Sequence, residues 1–103
     1  MFTLQIDLQP QIEQRVKFLM EKHFNKELFF RDLISYKISE LEKALFKMKK
    51  DLRKYEKQYK MSSYEFYQLF EAGKYGDQDD YMIWAGLYEL SQKNEKELAQ
   101  LQW

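Results

Sequence analysis

Residues 25–60 read NKELFFRDLISYKISELEKALFKMKKDLRKYEKQYK and contain neither glycine nor proline. Apolar side chains recur along this stretch at alternating spacings of four and three, which is the heptad pattern of a helix with one packed face. These positions are Ile34, Ile38, Leu41, Leu45, Met48, Leu52, Tyr55 and Tyr59. A helix of this length would extend roughly 54 Å, whereas a compact chain of 103 residues has a radius of gyration of about 13 Å. The pattern therefore predicts a long helix that projects beyond a globular body or is covered by a partner.

The first eight residues have a different period. Apolar residues alternate there with polar ones, which is the pattern of a β-strand with one buried face. The apolar set is Phe2, Leu4, Ile6 and Leu8. Because no later stretch alternates in this way, the backbone of the strand needs a partner on another chain, most simply the same strand of a second copy. A first helix from Pro10 to about Lys22 is expected to follow.

Local signals divide the remaining residues into two further helices. Ser62 and Glu65 have the spacing of a capping box, which starts a helix, and Gly73 is suited to end it. Carboxylates at 77–80 then lie at the start of a last helix, which extends to about Leu101. The predicted fold is mainly α, with a short N-terminal β-strand paired across a dimer and a C-terminal hairpin-like segment. The predicted dimer interface consists of Phe2, Leu4, Ile6, Leu8, Leu33, Ile34, Ile38 and Leu41.

Charge is distributed unevenly although the formal net charge is zero. Residues 1–60 contain 14 Lys and Arg against 9 Asp and Glu, whereas residues 61–103 contain 3 against 8. This asymmetry suggests a polyanionic partner for the basic part and a basic partner for the acidic part. The alternative is that both parts are solvated surface or neutralise each other across the fold. We predict a dimerisation half that binds a polyanion at 1–60, which the resemblance described below implies to be DNA, and an acidic, aromatic, partner-binding half at 61–103.

Catalysis and cofactor chemistry have little support in the sequence. The chain has no cysteine and one histidine, so thiol chemistry and the usual metal clusters are not expected. No phosphate loop, dinucleotide fingerprint or catalytic triad is recognisable. The longest apolar stretch, residues 81–88, is much shorter than the roughly 20 residues of a membrane span. We therefore predict a cytoplasmic protein that is not an enzyme and has no cofactor.

Aromatic residues are dense from Tyr55 to the end of the chain. Such residues form the core of most proteins, but tyrosine and tryptophan are also selected at protein interfaces, and both interpretations remain open. If residues 61–103 bind a partner, acids would face a basic protein and aromatic side chains would anchor the contact. The predicted partner-binding residues are Phe66, Phe70, Asp77, Asp79, Asp80, Tyr81, Trp84 and Tyr88.

The order of strand, helix and helix in residues 2–38 resembles the ribbon–helix–helix family of dimeric DNA-binding proteins. In that family, strands paired between two chains enter the major groove. The resemblance implies that the outward side chains of the ribbon read bases and that the start of the second helix contacts phosphate. The corresponding residues here are Thr3, Gln5 and Asp7 in the ribbon and Asn25 and Lys26 in the helix.

The stretch from Met61 to Asp77, followed by residues 84–88, looks like the C-terminal part of small prokaryotic antitoxins. The resemblance implies an antitoxin that neutralises a basic, ribonuclease-type toxin through its C-terminal half and regulates its own operon by binding duplex operator DNA. The expected assembly is a homodimer or a higher even oligomer. The alternatives are an elongated coiled-coil scaffold or chaperone-like adaptor without DNA binding, and an RNA-binding helical protein without a ribbon.

Overall fold

A computed structural model describes residues 1–23 and 25–103 of the chain. These residues form four α-helices: α1 (Pro10–His23), α2 (Lys26–Tyr59), α3 (Ser63–Glu71) and α4 (Asp79–Leu101). They divide into two compact units, Met1–Leu33 and Ile34–Trp103. The stretch from 34 to 60, which the sequence grouped with the N-terminal half, thus belongs to the same unit as residues 61–103. The assignment of separate functions to 1–60 and 61–103 stays a prediction.

The predicted N-terminal β-strand is wrong, and so is the ribbon–helix–helix fold that depended on it. Residues 1–9 have no regular secondary structure, and the described residues contain no strand. The chain passes directly into α1, where the Gln9 carbonyl oxygen accepts hydrogen bonds from the amides of Ile12 and Glu13 at 3.0 and 2.9 Å. Alternating apolar residues determine which face of a strand would be buried, but they do not provide a second strand to pair with. An isolated strand is not stable, because its backbone N–H and C=O groups have no hydrogen-bond partners on a neighbouring strand.

The predicted starts of the first two helices are confirmed. α1 begins at Pro10. Proline has no amide proton, and no hydrogen bond is lost because the first amide of a helix has no partner within the helix. α2 begins after Asn25, whose side-chain Oδ1 accepts a hydrogen bond from the Leu28 amide at 3.1 Å. This bond satisfies one of the amides that the first turn of a helix leaves without a partner.

A three-residue connection joins α2 to α3 and is held by Glu56. Lys60 adopts the left-handed conformation, with φ of 54°, and the Met61 amide donates to the Glu56 carbonyl oxygen at 3.2 Å. The Glu56 carboxylate accepts from the Ser63 amide at 2.8 Å. Ser62 caps α3 as predicted, because its Oγ accepts from the Glu65 amide at 3.1 Å.

α3 ends in the same kind of turn, as its glycine predicted. Gly73 has a φ of 77°, its amide donates to the Phe70 carbonyl oxygen at 3.0 Å, and the Lys74 amide donates to the Leu69 carbonyl oxygen at 2.9 Å. These two bonds define a Schellman motif, which favours glycine at the left-handed position.

The core of unit 34–103 forms where α2, α3 and α4 meet. Four buried residues define it: Leu52, Phe66, Trp84 and Ala85. The seam of α2 is buried from Leu41 onward, at Leu41, Leu45, Met48 and Leu52. Within this unit α4 runs antiparallel to α2, because Lys49 pairs with Glu95 at 3.0 Å while Tyr59 stacks on Trp84. Part of the cover that the long helix required is therefore supplied by α4 of the same chain.

Candidate partner-binding surfaces

The aromatic residues predicted to bind a partner are brought together, but in the core. Phe66 and Trp84 are fully buried, and their rings stack with centroids 3.8 Å apart and planes 3° from parallel. Phe70, Tyr81 and Tyr88 are half-buried around them. Of the two interpretations that the sequence left open, the core interpretation describes these aromatic residues in the isolated chain.

Trp84 is fixed on both its ring and its N–H group. The indole Nε1 donates to Ser63 Oγ at 2.8 Å, and Tyr55 and Tyr59 stack on the ring with centroids 5.6 and 5.5 Å away. A buried indole N–H needs such a partner, because leaving it unpaired costs about 1–3 kcal/mol. Trp84 therefore orients the start of α3 against α4 and exposes no surface for a partner.

The acidic residues of the predicted site differ in what they contact. Asp77 and Asp79 are exposed in the α3–α4 connection and the first turn of α4. Asp80 is half-buried and accepts a hydrogen bond from the Tyr59 hydroxyl at 3.0 Å. Burial raises the pKa of the Tyr59 hydroxyl, and the hydrogen bond to Asp80 raises it further. Asp80 thus has an internal structural contact, whereas Asp77 and Asp79 face solvent.

A second apolar stripe lies on α4, opposite its buried face. Met82 and Ile83 are each 52% exposed, and Leu90 is 47% exposed. Exposed Gly86 lies between them, and a Cβ atom added there would meet nothing within 4 Å. We call this face the α4 outer surface and define it by Asp79, Met82, Ile83, Gly86, Glu89 and Leu90.

The carboxylates of this region also act on a neighbouring tyrosine. Burial raises the pKa of the Tyr67 hydroxyl, and hydrogen bonds to Glu71 and Glu89 raise it further. A shallow groove beside the α4 outer surface is lined by Tyr67, Gly86, Tyr88, Glu89, Leu90, Gln92, Lys93 and Lys96. Apolar area bordered by charged side chains of both signs is the arrangement of a protein interface, which has an apolar centre and a polar rim.

Sequence reasoning did not identify Met82, Ile83 and Leu90 as surface residues. The available signal was their spacing, because positions 82, 86 and 90 lie on one side of a helix and Trp84, Tyr88 and Ser91 lie on the other. Because both sets contain apolar residues, the spacing alone does not show which side of the helix is buried. Only the position of α3 and α2 decides which side is buried.

The residues predicted to contact DNA do not lie on the paired strands that the prediction required. Thr3, Gln5 and Asp7 are exposed in a segment without a strand, so no ribbon carries them into a groove. Asn25 uses its side-chain oxygen to cap α2, and Lys26 is the exposed first residue of that helix. Duplex binding by another surface stays a prediction.

Large apolar side chains are exposed mainly in residues 1–36. Of the 21 exposed large hydrophobic residues in the described part of the chain, 14 lie there. Among the predicted dimer-interface residues, Phe2 is 82% exposed, Leu4 52%, Ile6 58%, Leu8 39% and Leu33 53%. Ile34 and Ile38 are half-buried and Leu41 is buried. A homodimer through these residues stays a prediction.

No protein-family model, curated protein or solved structure matches the chain. Among the described residues, no group of three or more histidine and carboxylate side chains is arranged to hold a metal ion. No described helix is long and apolar enough to cross a membrane.

Proposed function

We propose that the chain is an antitoxin-type inhibitor that binds a basic protein through the α4 outer surface. The observation that carries this proposal is the exposed apolar stripe of Met82, Ile83 and Leu90 on a folded helix whose other side is already packed. The resemblance of residues 61–77 and 84–88 to the C-terminal part of prokaryotic antitoxins supports partner binding by the same half of the chain. The contact residues differ from those that the aromatic pattern predicted.

Gly86 favours a close approach by the partner. A glycine inside a helix costs about 1 kcal/mol relative to alanine. Because a Cβ at this position would meet nothing within 4 Å, packing inside the chain does not require the glycine. A partner backbone can approach the helix most closely where no side chain intervenes.

The carboxylates around the N-terminal part of the α4 outer surface favour a basic partner there, whereas Lys93 and Lys96 lie beside its C-terminal part. Asp79 and Glu89 border the apolar stripe, and Asp77 immediately precedes the helix; all three are exposed. Charges at an interface rim chiefly increase the association rate and discriminate against partners of the wrong sign. The apolar stripe would supply affinity and the carboxylates would supply selectivity.

The test uses the full-length chain and the product of the gene adjacent to its own, measured by co-purification and by growth of co-expressing cells. Gly86→Gln places a Cβ atom in open space and removes the cost of a helical glycine, so it should retain the fold and weaken binding at least tenfold. Leu90→Ala should weaken binding in the same direction. Phe46→Ala is the matched control, because Phe46 is 71% exposed on α2, outside the α4 outer surface.

Unchanged capture and protection by both α4 variants would contradict the proposal. Capture without protection of growth would instead favour the scaffold or adaptor alternative. Equal losses for Phe46→Ala and Leu90→Ala would show a general effect of removing exposed apolar area.

A further inference from the structure

We propose that a row of lysines on α2 binds the phosphate backbone of duplex DNA. This surface is separate from the α4 outer surface and does not depend on the proposed inhibitor function. We call it the lysine stripe, and it consists of Lys43, Lys47, Lys50, Lys54 and Lys57.

The geometry of α2 places these five side chains in one line. Their spacings alternate between four and three residues, so they share one side of the helix. All five are exposed, and the buried seam of Leu41, Leu45, Met48 and Leu52 lies on the other side. From Lys43 to Lys57 the stripe is about 21 Å long. Packing against α3 and α4 therefore fixes the direction in which the lysines point.

Few acids neutralise this row. Among the ion pairs of the described residues, only Lys54 belongs to the stripe, and it is 3.8 Å from Asp51. Lys49, which pairs with Glu95 of α4, lies outside the stripe. A linear group of like charges on a rigid helix raises the local concentration of an extended polyanion. It also binds that polyanion with release of condensed counterions.

Duplex DNA fits the length, shape and composition of the stripe. A span of about 21 Å corresponds to about six base pairs at 3.4 Å each. The major groove of B-form DNA admits an α-helix, whereas the major groove of A-form RNA is too narrow for side chains to enter. Phe46, which is exposed between Lys43 and Lys50, offers a single ring, whereas binding of unpaired strands uses several aromatic side chains on which successive bases stack. The apolar side of α2 is buried from Leu41 to Leu52, so it is not available to insert into a lipid surface.

The stripe predicts affinity without base selection. Lysines act as point charges on phosphate and carry no sequence information. Binding should therefore depend strongly on salt and weakly on DNA sequence. Five phosphate contacts correspond to a slope of about −4.5 in log K against log salt, which is an affinity loss of about 500-fold between 50 and 200 mM salt.

The experiment measures fluorescence anisotropy of a labelled 20-base-pair DNA duplex with the full-length chain across this salt range. The triple variant Lys47→Gln, Lys50→Gln, Lys54→Gln should lower the slope by about three units and the affinity at 50 mM salt at least 100-fold. Glutamine has nearly the helix propensity of lysine, so circular dichroism should confirm an unchanged helical content.

A second triple variant provides the matched control. Lys74→Gln, Lys93→Gln and Lys96→Gln remove the same charge from exposed positions outside α2, and they should change the slope by less than one unit. Equal losses in the two triples would show an effect of net charge alone and overturn the lysine stripe. So would no binding at 50 mM salt. Equal affinity for an RNA duplex, or displacement by polyglutamate at the same charge concentration, would overturn the assignment to DNA.

Discussion

Residues 1–33 and residues 34–103 both contain helices with regularly spaced apolar residues, yet only the second unit buries them. Unit 34–103 has a core in which Phe66 and Trp84 are fully covered. In unit 1–33, Ile12, Phe18 and Leu19 are each more than half exposed. The difference is the number of packed helices, because α3 and α4 both contribute to the core beside α2. An amphipathic pattern marks the side that can be buried, but stability requires another element to cover it.

The two units also differ in how equal numbers of charges are arranged. Residues 1–33 contain five basic and five acidic residues, and residues 34–103 contain twelve of each. In 1–33 the signs are interspersed. In 34–103 the basic residues are concentrated on α2 and the acidic ones on α3 and α4, and Lys49–Glu95 joins the two groups. The sequence allowed two interpretations of this charge distribution: separate partners, or neutralisation across the fold. The Lys49–Glu95 pair is an instance of neutralisation, but an exposed pair contributes only about 0–1 kcal/mol to stability.

The largest expected effect is the loss of the Trp84 side chain. Trp84→Ala should lower the free energy of unfolding by about 3–5 kcal/mol, because it leaves a cavity beside Phe66 and removes the donor to Ser63 Oγ. Urea unfolding followed by helical circular dichroism measures this change. Phe2→Ala, at a position 82% exposed in unit 1–33, should change stability by about 0.5 kcal/mol or less. Equal effects at the two sites would contradict the difference in packing.

Alkaline pH should destabilise the folded unit 34–103. Burial raises the pKa of the hydroxyls of Tyr55, Tyr59, Tyr67 and Tyr88 above the usual value. Their neutral forms are therefore favoured in the folded state, while tyrosines of the unfolded chain ionise at about pH 10. The contribution of these tyrosines to stability should be fully present below about pH 9 and be lost as the pH rises through their raised pKa values.

Tyrosinate absorbance and urea unfolding, measured on the same samples, check this pH dependence. The folded chain should ionise part of its tyrosines at a higher pH than the chain in concentrated urea. Coincident titration curves for the folded and unfolded chains would contradict the effect of burial. Tyr59→Phe should make the fall of stability with pH less steep, because one of the titrating groups is gone.

The helix ends could be predicted because their signals are local. Pro10, Ser62 and Gly73 each act within one turn of their own position, and all three have the predicted role. The role of Glu56 in the α2–α3 connection was not predicted, because its carboxylate reaches the Ser63 amide seven residues along the chain. Such a bond depends on the direction in which α2 enters the turn.

The N-terminal strand and the position of the partner-binding surface could not be predicted because both depend on distant partners. Residues 1–9 alternate correctly for a strand, but nothing in their sequence specifies what completes the ladder. Apolar residues occupy both sides of α4. Trp84 is buried and Met82 is exposed because α3 packs on the side of the helix that carries Trp84. Periodicity identifies the sides of a helix and not their environment.

The two left-handed turns of unit 34–103 should respond in opposite directions to substitution. Gly73→Ala should destabilise by about 1–2 kcal/mol, because φ of 77° brings a Cβ atom close to the following carbonyl oxygen. Lys60→Gly should stabilise by about 0.5–1 kcal/mol, because it removes the same steric cost at φ of 54° and loses part of the gain to chain entropy. Thermal unfolding of the two variants measures both signs. A lower melting temperature for Lys60→Gly would contradict the steric argument.

The smallest effect is expected from deleting residues 1–33. These residues form a separate compact unit, and the core residues Leu52, Phe66, Trp84 and Ala85 all lie in 34–103. The deleted chain loses the Asn25 cap of α2 but none of these core residues, so its free energy of unfolding should lie within about 1 kcal/mol of that of the full chain at low micromolar concentration. Urea unfolding of both chains provides the comparison, and Trp84 fluorescence reports the core directly. A loss of more than about 1 kcal/mol, beyond the usual range for residues outside a core, would show that unit 1–33 stabilises 34–103. If that loss increases with protein concentration, it arises from self-association of the full chain through its exposed N-terminal residues.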